Sequence, residues 1–288
     1  DSLAGSAVYF VLDPLTWGEL EGREPPRLID DVLAGPWPVP DEPAGPAVDP
    51  LPLLLRGFMP ALMGLATRAD HLRWWSGYVA TYLARDLRQL SRIDSLLDFR
   101  RLMELLALRS GALLNQADLA RDAGLSQPTA HRYINLLETT HLFQRLPAYA
   151  AARGARVIKA PRVMWTDPAL PVFLAGYFDL DALAAARELG GFFECLVHLH
   201  LRVAAGLLSP PGRLTYWRTR TGQEVDFVLE HGRRLLALEV KWTEEPGQRH
   251  LAGLRRFLAD HPQAVGGLLI HRGAQTRCAG REQSDAEA

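Results

Sequence analysis

The stretch "GQEVDFVLEHGRRLLALEVK", residues 222–241, constrains the fold more tightly than any other. It reads as two apolar strands joined at Gly232-Arg233, with glycine first of the two central residues, as a type II′ hairpin turn requires. That turn pairs residue 231 with 234 and 230 with 235. Continued along the ladder, it sets Asp226 across from Glu239 and Glu224 across from Lys241. Side chains alternate, so Glu224 and Asp226 share one face while Val225 and Phe227 share the other. Glu239 and Lys241 likewise lie opposite Leu238 and Val240. A one-residue slip would turn one strand's charges onto the apolar face, so the register is well specified.

Like charges directly opposite have Cβ atoms about 4.5–5.5 Å apart and destabilise the pair. A divalent cation, a shared proton or a neighbouring side-chain cation must offset the repulsion. Two facing carboxylates, Asp226 and Glu239, suit Mg²⁺ or Mn²⁺, and Lys241 would then orient or activate a water for attack on a phosphodiester. Glu194, on an amphipathic helix expected over 191–206, would supply a third carboxylate to the metal. The alternative is structural: Glu224 pairs with Lys241 and the remaining carboxylate is solvated. Strands are expected at 213–220, 222–229, 235–241 and 265–271, with a helix at 248–260.

A second constrained stretch is "LLNQADLARDAGLSQPTAHRYINLLETTHLFQRLP". A helix over 116–123 ends at Gly124, suited to a left-handed C-terminus, and Ser126 caps the next helix with Pro128 in its first turn. Two helices, a short glycine turn and a following hairpin describe a winged helix-turn-helix. The wing runs out as "LFQRLPAY" and returns as "RVIKAPRVMWTD", with Arg145, Arg153, Arg156, Lys159 and Arg162 near it. In a DNA reader, Gln127, Thr129, His131 and Arg132 would face the groove, and Arg156 and Lys159 the backbone. Docking of a protein partner is the other use of such a module.

Charge supports the first use. Residues 1–97 hold 8 basic and 13 acidic side chains, whereas 98–162 hold 10 and 5, a segment at +5 in a chain of net charge −1. Only Lys159 and Lys241 of the 32 basic residues are lysines, which singles out two places where a compact ammonium stands.

Elsewhere, "AVYFVL" at 7–12 reads as a short buried strand, and 34–52, crowded with prolines, as an extended linker or lid. Helical stripes follow from Arg68 through "HLRWWSGYVATYLARDLRQL", and from about Ser95 to Arg109. No G-x-x-x-x-G-K-[ST] occurs, so no ATP site of that kind is expected. No apolar run approaches the roughly 18 residues of a membrane span, and the chain opens without a basic leader, so a cytoplasmic location and no membrane contact are expected. Cys195 and Cys278 fit neither a zinc nor a disulfide pattern. His198 and His200 point different ways on their helix, and Glu194 with His198 reads as a helix pair.

An acid ahead of E-x-K on a paired strand, in the order helix, three strands, helix, strand, resembles the PD-(D/E)xK nuclease superfamily. The resemblance implies Asp226 and Glu239 as metal ligands, Lys241 as the catalytic lysine and Glu194 as the helix acid. More widely, "SLAG", "LDPLTWGEL", "YVATYLARDL", "LLALRSGALLNQADLARDAGLSQPTAHRYINLLE", "APRVMWTDPAL" and "YWRTRTGQEVDFVLE" are similar to the C-terminal region of prokaryotic AAA+ ATPases. There a winged helix precedes a nuclease-like domain of unknown function. The resemblance implies a mixed α+β fold, with a remnant of the ATPase domain at 1–22 and a Pro-rich linker at 23–60. A helical and winged-helix domain follows at 61–166, a connector at 167–190 and a nuclease-like α/β domain at 191–288. Ser6 stands where members show an Arg after "SLAG", and no P-loop domain precedes, so the chain reads as truncated or a fragment. Three functions follow: a DNA-binding part of such an ATPase, an active metal-dependent endonuclease acting on double-stranded DNA, or a protein-interaction module.

Overall fold

The computed structural model describes residues 11–24, 27–35, 48–82, 95–150 and 160–273. Its helical part is built from capped, striped helices. Three short or medium helices come first: α1 (Trp17–Leu20), α2 (Leu28–Ala34) and α3 (Pro50–Arg56), followed by α4 (Arg68–Thr81). The expected strand at 7–12 lies almost wholly outside the described residues, and Val11 and Leu12 have no regular structure. The linker reading of 34–52 fails at its C-terminal end. Pro50 begins α3, where the first N–H groups have no helical acceptor in any case, and Asp49 caps it by accepting from Leu51 N. Leu54 of this helix is fully buried. Residues 36–47 are outside the described set.

Helix α5 (Leu96–Ala107) is capped by Ser95 and buries Phe99, Leu102, Met103 and Leu106 at three- and four-residue steps. Helix α6 (Gln116–Ala123) ends at Gly124 with φ 71° and ψ 29°, the left-handed geometry expected there. Helix α7 (Gln127–Thr139) starts from Ser126, whose hydroxyl accepts from Thr129 N, and buries Ala130, Tyr133, Ile134 and Leu137. Strands β1 (Phe143–Leu146) and β2 (Arg162–Trp165) then pair antiparallel, Phe143 opposite Trp165. Together α5–α7 and this hairpin form a helix-turn-helix followed by a wing.

The stretch read as a connector, 167–190, contains two helices, α8 (Ala169–Leu174) and α9 (Leu180–Ala184). Helix α8 is nearly all interior, with Ala169, Leu170, Val172 and Leu174 buried. Its position is held by Asp167, which accepts from Phe58 N at 2.8 Å and Ala169 N at 2.9 Å. A buried carboxylate with backbone donors can serve as core structure, and no periodicity announces that in eight residues.

Helix α10 (Leu189–Leu207) leads into β3 (Arg213–Arg218), β4 (Glu224–His231) and β5 (Arg234–Lys241). A 3-10 turn (Gln248–Leu251), α11 (Ala252–Asp260) and β6 (Ala264–His271) complete the unit. The sheet order is β3-β4-β5-β6, antiparallel except for the parallel β5–β6 pair. One face (Phe227, Leu229, Leu236, Leu238, Val240) joins the large core shared with α10 and the helical part. The other (Val225, Val228, Leu235, Ala237) packs on Leu254 and Phe257 of α11. The wing's outgoing strand also docks on the β3 edge: Tyr149 N donates to Tyr216 O at 2.6 Å, and Tyr216 N to Pro147 O at 2.9 Å.

Candidate functional site

The hairpin turn behaves as expected. Gly232 has φ 62°, and the ladder pairs His231 with Arg234, Glu230 with Leu235 and onward to Phe227 with Leu238. There the pairing stops. A β-bulge interrupts β3–β4, where Thr215 pairs with Val228 but Trp217 with Val225. The extra residue reverses the faces beyond it, so Val225 shares a side with Val228 instead of Phe227. Asp226 is consequently not stacked over Glu239 across a regular ladder. Its carboxylate enters the gap between the strands, and Oδ2 accepts from Val240 N at 2.8 Å.

Two cationic side chains converge on it. Arg162, from β2 of the wing, donates Nη1 to Asp226 Oδ1 at 2.8 Å and places Nη2 3.3 Å from Glu194 Oε2 on α10. Lys241 Nζ lies 2.6 Å from Glu239 Oε1 and 3.5 Å from Asp226 Oδ2. The expected Glu224–Lys241 pair is absent; Glu224 lies 3.6 Å from Arg218. Compensation for the carboxylates thus comes from an arginine and a lysine, the third of the options that the repulsion allows. Arg162 itself is 7% exposed and Asp226 1%, so this cluster is interior.

Burial dominates the electrostatics. It pushes the Glu194 carboxyl up to about 8, with the Asp226 carboxylate adding to it and Arg162 and Lys241 opposing. Glu239 is pushed up to about 7 by burial and by Asp226, against Lys241. Burial works against the Lys241 ammonium, but Asp226 and Glu239 together hold its pKa above the usual lysine value. Among the described residues Glu239 Oε2 has no hydrogen-bond donor, and Glu194 Oε2 has only the ion-pair contact with Arg162.

These raised carboxyls set a pH dependence. The folded chain binds more protons at Glu194 and Glu239 than the unfolded chain, so stability falls as pH rises from the ordinary 4.5 through about 7 and about 8. His198 acts oppositely: burial lowers it to about 4, so its contribution is present above the ordinary 6.5 and lost as pH falls from there. Between about pH 6.5 and 8 only the carboxyl effect remains. The urea midpoint is expected to fall across that window, by at most about 1.4 kcal/mol per pH unit per carboxyl. Glu194→Gln should flatten the slope, and a midpoint that rises with pH would contradict the assignment.

Asp226, Glu239, Lys241 and Glu194 are therefore brought together, but not as a metal-ligand set. Among the described residues no group of three or more His, Cys, Asp or Glu side chains is placed to hold a metal ion. Both Asp226 oxygens are already engaged by Arg162 and by Val240 N. In this arrangement the residues do not fit Mg²⁺ or Mn²⁺. Arg162 is the member that sequence reasoning misplaced, by grouping it with the wing's basic residues. The available signal was a lone charge opening the strand "RVMW", which is buried at every position.

At the other candidate surface, Gln127, His131 and Arg132 are exposed on α7, and Thr129 is partly so. Thr129 also supports the cap, its hydroxyl 2.9 Å from that of Ser126. His131 is held between Gln116 and Asn135, each at 3.0 Å. Arg156 and Lys159 lie outside the described residues. Four of the ten basic side chains of 98–162 pair with carboxylates of the same segment, which leaves its excess of +5 unchanged. Arg100 pairs with Glu104, Arg109 with Asp122, Arg121 with Asp118 and Arg145 with Glu138. Among the described residues no helix is long and apolar enough to cross a membrane.

Two family models each match part of the chain. Residues 51–181 match "Domain of unknown function (DUF8612)" and residues 189–283 match "Domain of unknown function (DUF4143)". The chain is 34% identical over 194 residues to "Uncharacterized protein Rv2008c" of Mycobacterium tuberculosis and, equally, to "Uncharacterized protein Mb2031c" of Mycobacterium bovis. The alignment covers 67% of this chain and 43% of each relative, so the chain spans less than half the length of the curated relatives it matches. Among solved structures, "The crystal structure of transcriptional regulator PA3341" is 25% identical, covering 48% of this chain and 93% of that one. Its TM-score is 0.22, and an overlap at that level carries no argument about fold or function.

Proposed function

We propose that this chain is a duplex-DNA-binding module that reads the groove with α7, and that it corresponds to the C-terminal region of an AAA+ family ATPase. The observation that carries the reading is the two-sided character of α7. Ala130, Tyr133, Ile134 and Leu137 bury one side, while Gln127, His131 and Arg132 stand exposed toward its capped N-terminal end. Side chains at that end are the ones a recognition helix offers to base edges and phosphates. The PD-(D/E)xK-like sheet is, on this reading, a scaffold whose charged cluster is neutralised from within.

Fluorescence anisotropy with a labelled duplex tests the proposal. Binding should weaken steeply with salt, and His131→Ala/Arg132→Ala should raise Kd about tenfold or more at low salt. Equal affinity of parent and variant would remove α7 from the interface. Absence of DNA binding at low salt would favour the protein-interaction reading.

Metal-dependent hydrolysis is retained as a second reading because Glu239 Oε2 is buried without a donor beside Lys241. It requires Arg162 to leave Asp226. DNA cleavage in Mg²⁺ or Mn²⁺ that Lys241→Ala abolishes, with the fold retained, would establish it; no cleavage at any metal concentration would end it.

A further inference from the structure

We infer that a depression between the β3–β4 turn and α11 is a second phosphate contact, one that carries the DNA backbone from the winged helix onto the sheet unit. The depression has a volume of about 500 Å³ and is lined by Thr219, Arg220, Thr221, Gln223 and Arg256. Arg220 is exposed, and no acidic side chain among the described residues pairs with it. Arg256 is 55% exposed and uses Nε for Asp260 at 2.9 Å, an exposed i,i+4 pair of the kind that contributes little and exchanges readily. The two threonine hydroxyls lie 2.9 Å apart on the same rim, and the Thr219 oxygen also accepts from Gln223 N at 3.1 Å. Two guanidinium groups lining one depression suit a phosphate oxyanion.

Its position selects the backbone of bound DNA as the source of that phosphate. The strand leaving β1 of the wing docks on β3 at Tyr216, and Tyr149 then packs on Phe257 and His261, with ring centroids 6.0 and 5.3 Å away. Trp217 completes the cluster, 5.4 Å from Phe257. Arg256 adjoins Phe257, and the Arg220 turn follows Trp217 by three residues. The wing therefore joins the sheet at the edge that opens into this depression. On this inference the duplex held at α7 extends to that edge.

The inference rests on the DNA binding proposed above, and the test separates the two. Anisotropy titrations of a 30-bp duplex (about three helical turns) are run from low to moderate salt on the parent, on His131→Ala/Arg132→Ala and on Arg220→Gln/Arg256→Gln. Loss of two phosphate contacts should lower affinity about tenfold or more at low salt and reduce the salt slope by about 1.8. The exposed substitutions should leave the urea midpoint unchanged. Unchanged affinity and slope in Arg220→Gln/Arg256→Gln, with the parent binding normally, overturns this inference alone. No DNA binding by the parent overturns both. Two further arms check the source: inorganic phosphate that raises the parent's thermal midpoint but not the variant's, with no difference in DNA affinity, assigns a free-phosphate site and overturns the DNA contact. Duplex RNA responding to the substitutions while duplex DNA does not would overturn it equally.

Discussion

Arg162→Ala is expected to destabilise the chain by about 3–5 kcal/mol, read from the urea midpoint. The reason is the burial of what it leaves behind. Arg162 binds Asp226 at 2.8 Å and lies 3.3 Å from Glu194, and removing it leaves the interior Asp226 carboxylate without its guanidinium partner. Lys241 lies 3.5 Å from Asp226 and offsets only part of the loss. The exposed Arg100–Glu104 pair provides the contrast, since Arg100→Ala should cost no more than about 0.5 kcal/mol. A deficit for Arg162→Ala no larger than that of Arg100→Ala would show that the cluster is not the interior ion network described.

Gly253→Ala should cost about 3 kcal/mol, at the upper end of what overpacking produces. A Cβ on Gly253 would stand 2.0 Å from the Glu224 carbonyl oxygen and 3.8 Å from Glu239 Oε2. The obstacle is strand backbone, which cannot rotate aside, so α11 would be pushed off β4 beside the charged cluster. Gly247, six residues earlier, has nothing within 4 Å of its Cβ position and no positive φ, so Gly247→Ala should be nearly neutral. Parallel urea titrations of the two variants check this. Equal midpoints would mean that α11 does not rest on β4 through Gly253.

Much of this architecture was legible in the linear chain. Ser95, Ser126 and Gly124 mark helix ends by local hydrogen bonding and backbone sterics, which depend only on neighbours in sequence. The Gly232 turn set the β4–β5 register for the same reason. Where local chemistry was ambiguous, the reading slipped. Prolines at 50 and 52 signalled a linker but sit in the first turn of α3. Residues 167–190 carry two helices too short for periodicity to announce.

The candidate site shows where local legibility ends. That Asp226, Glu239 and Lys241 belong to one place follows from the hairpin alone, because a tight turn brings nearby residues together. How their charges are balanced does not, for two reasons. The bulge that turns Asp226 into the strand gap depends on how β3 lies beside β4. The cation that answers Asp226 comes from Arg162, 64 residues earlier in the chain and on a different hairpin. Sequence determined which charges would meet, through turn geometry and alternation. Only tertiary packing decided what neutralises them, because the energy of a buried charge is set by whatever the rest of the fold places within a few ångströms of it.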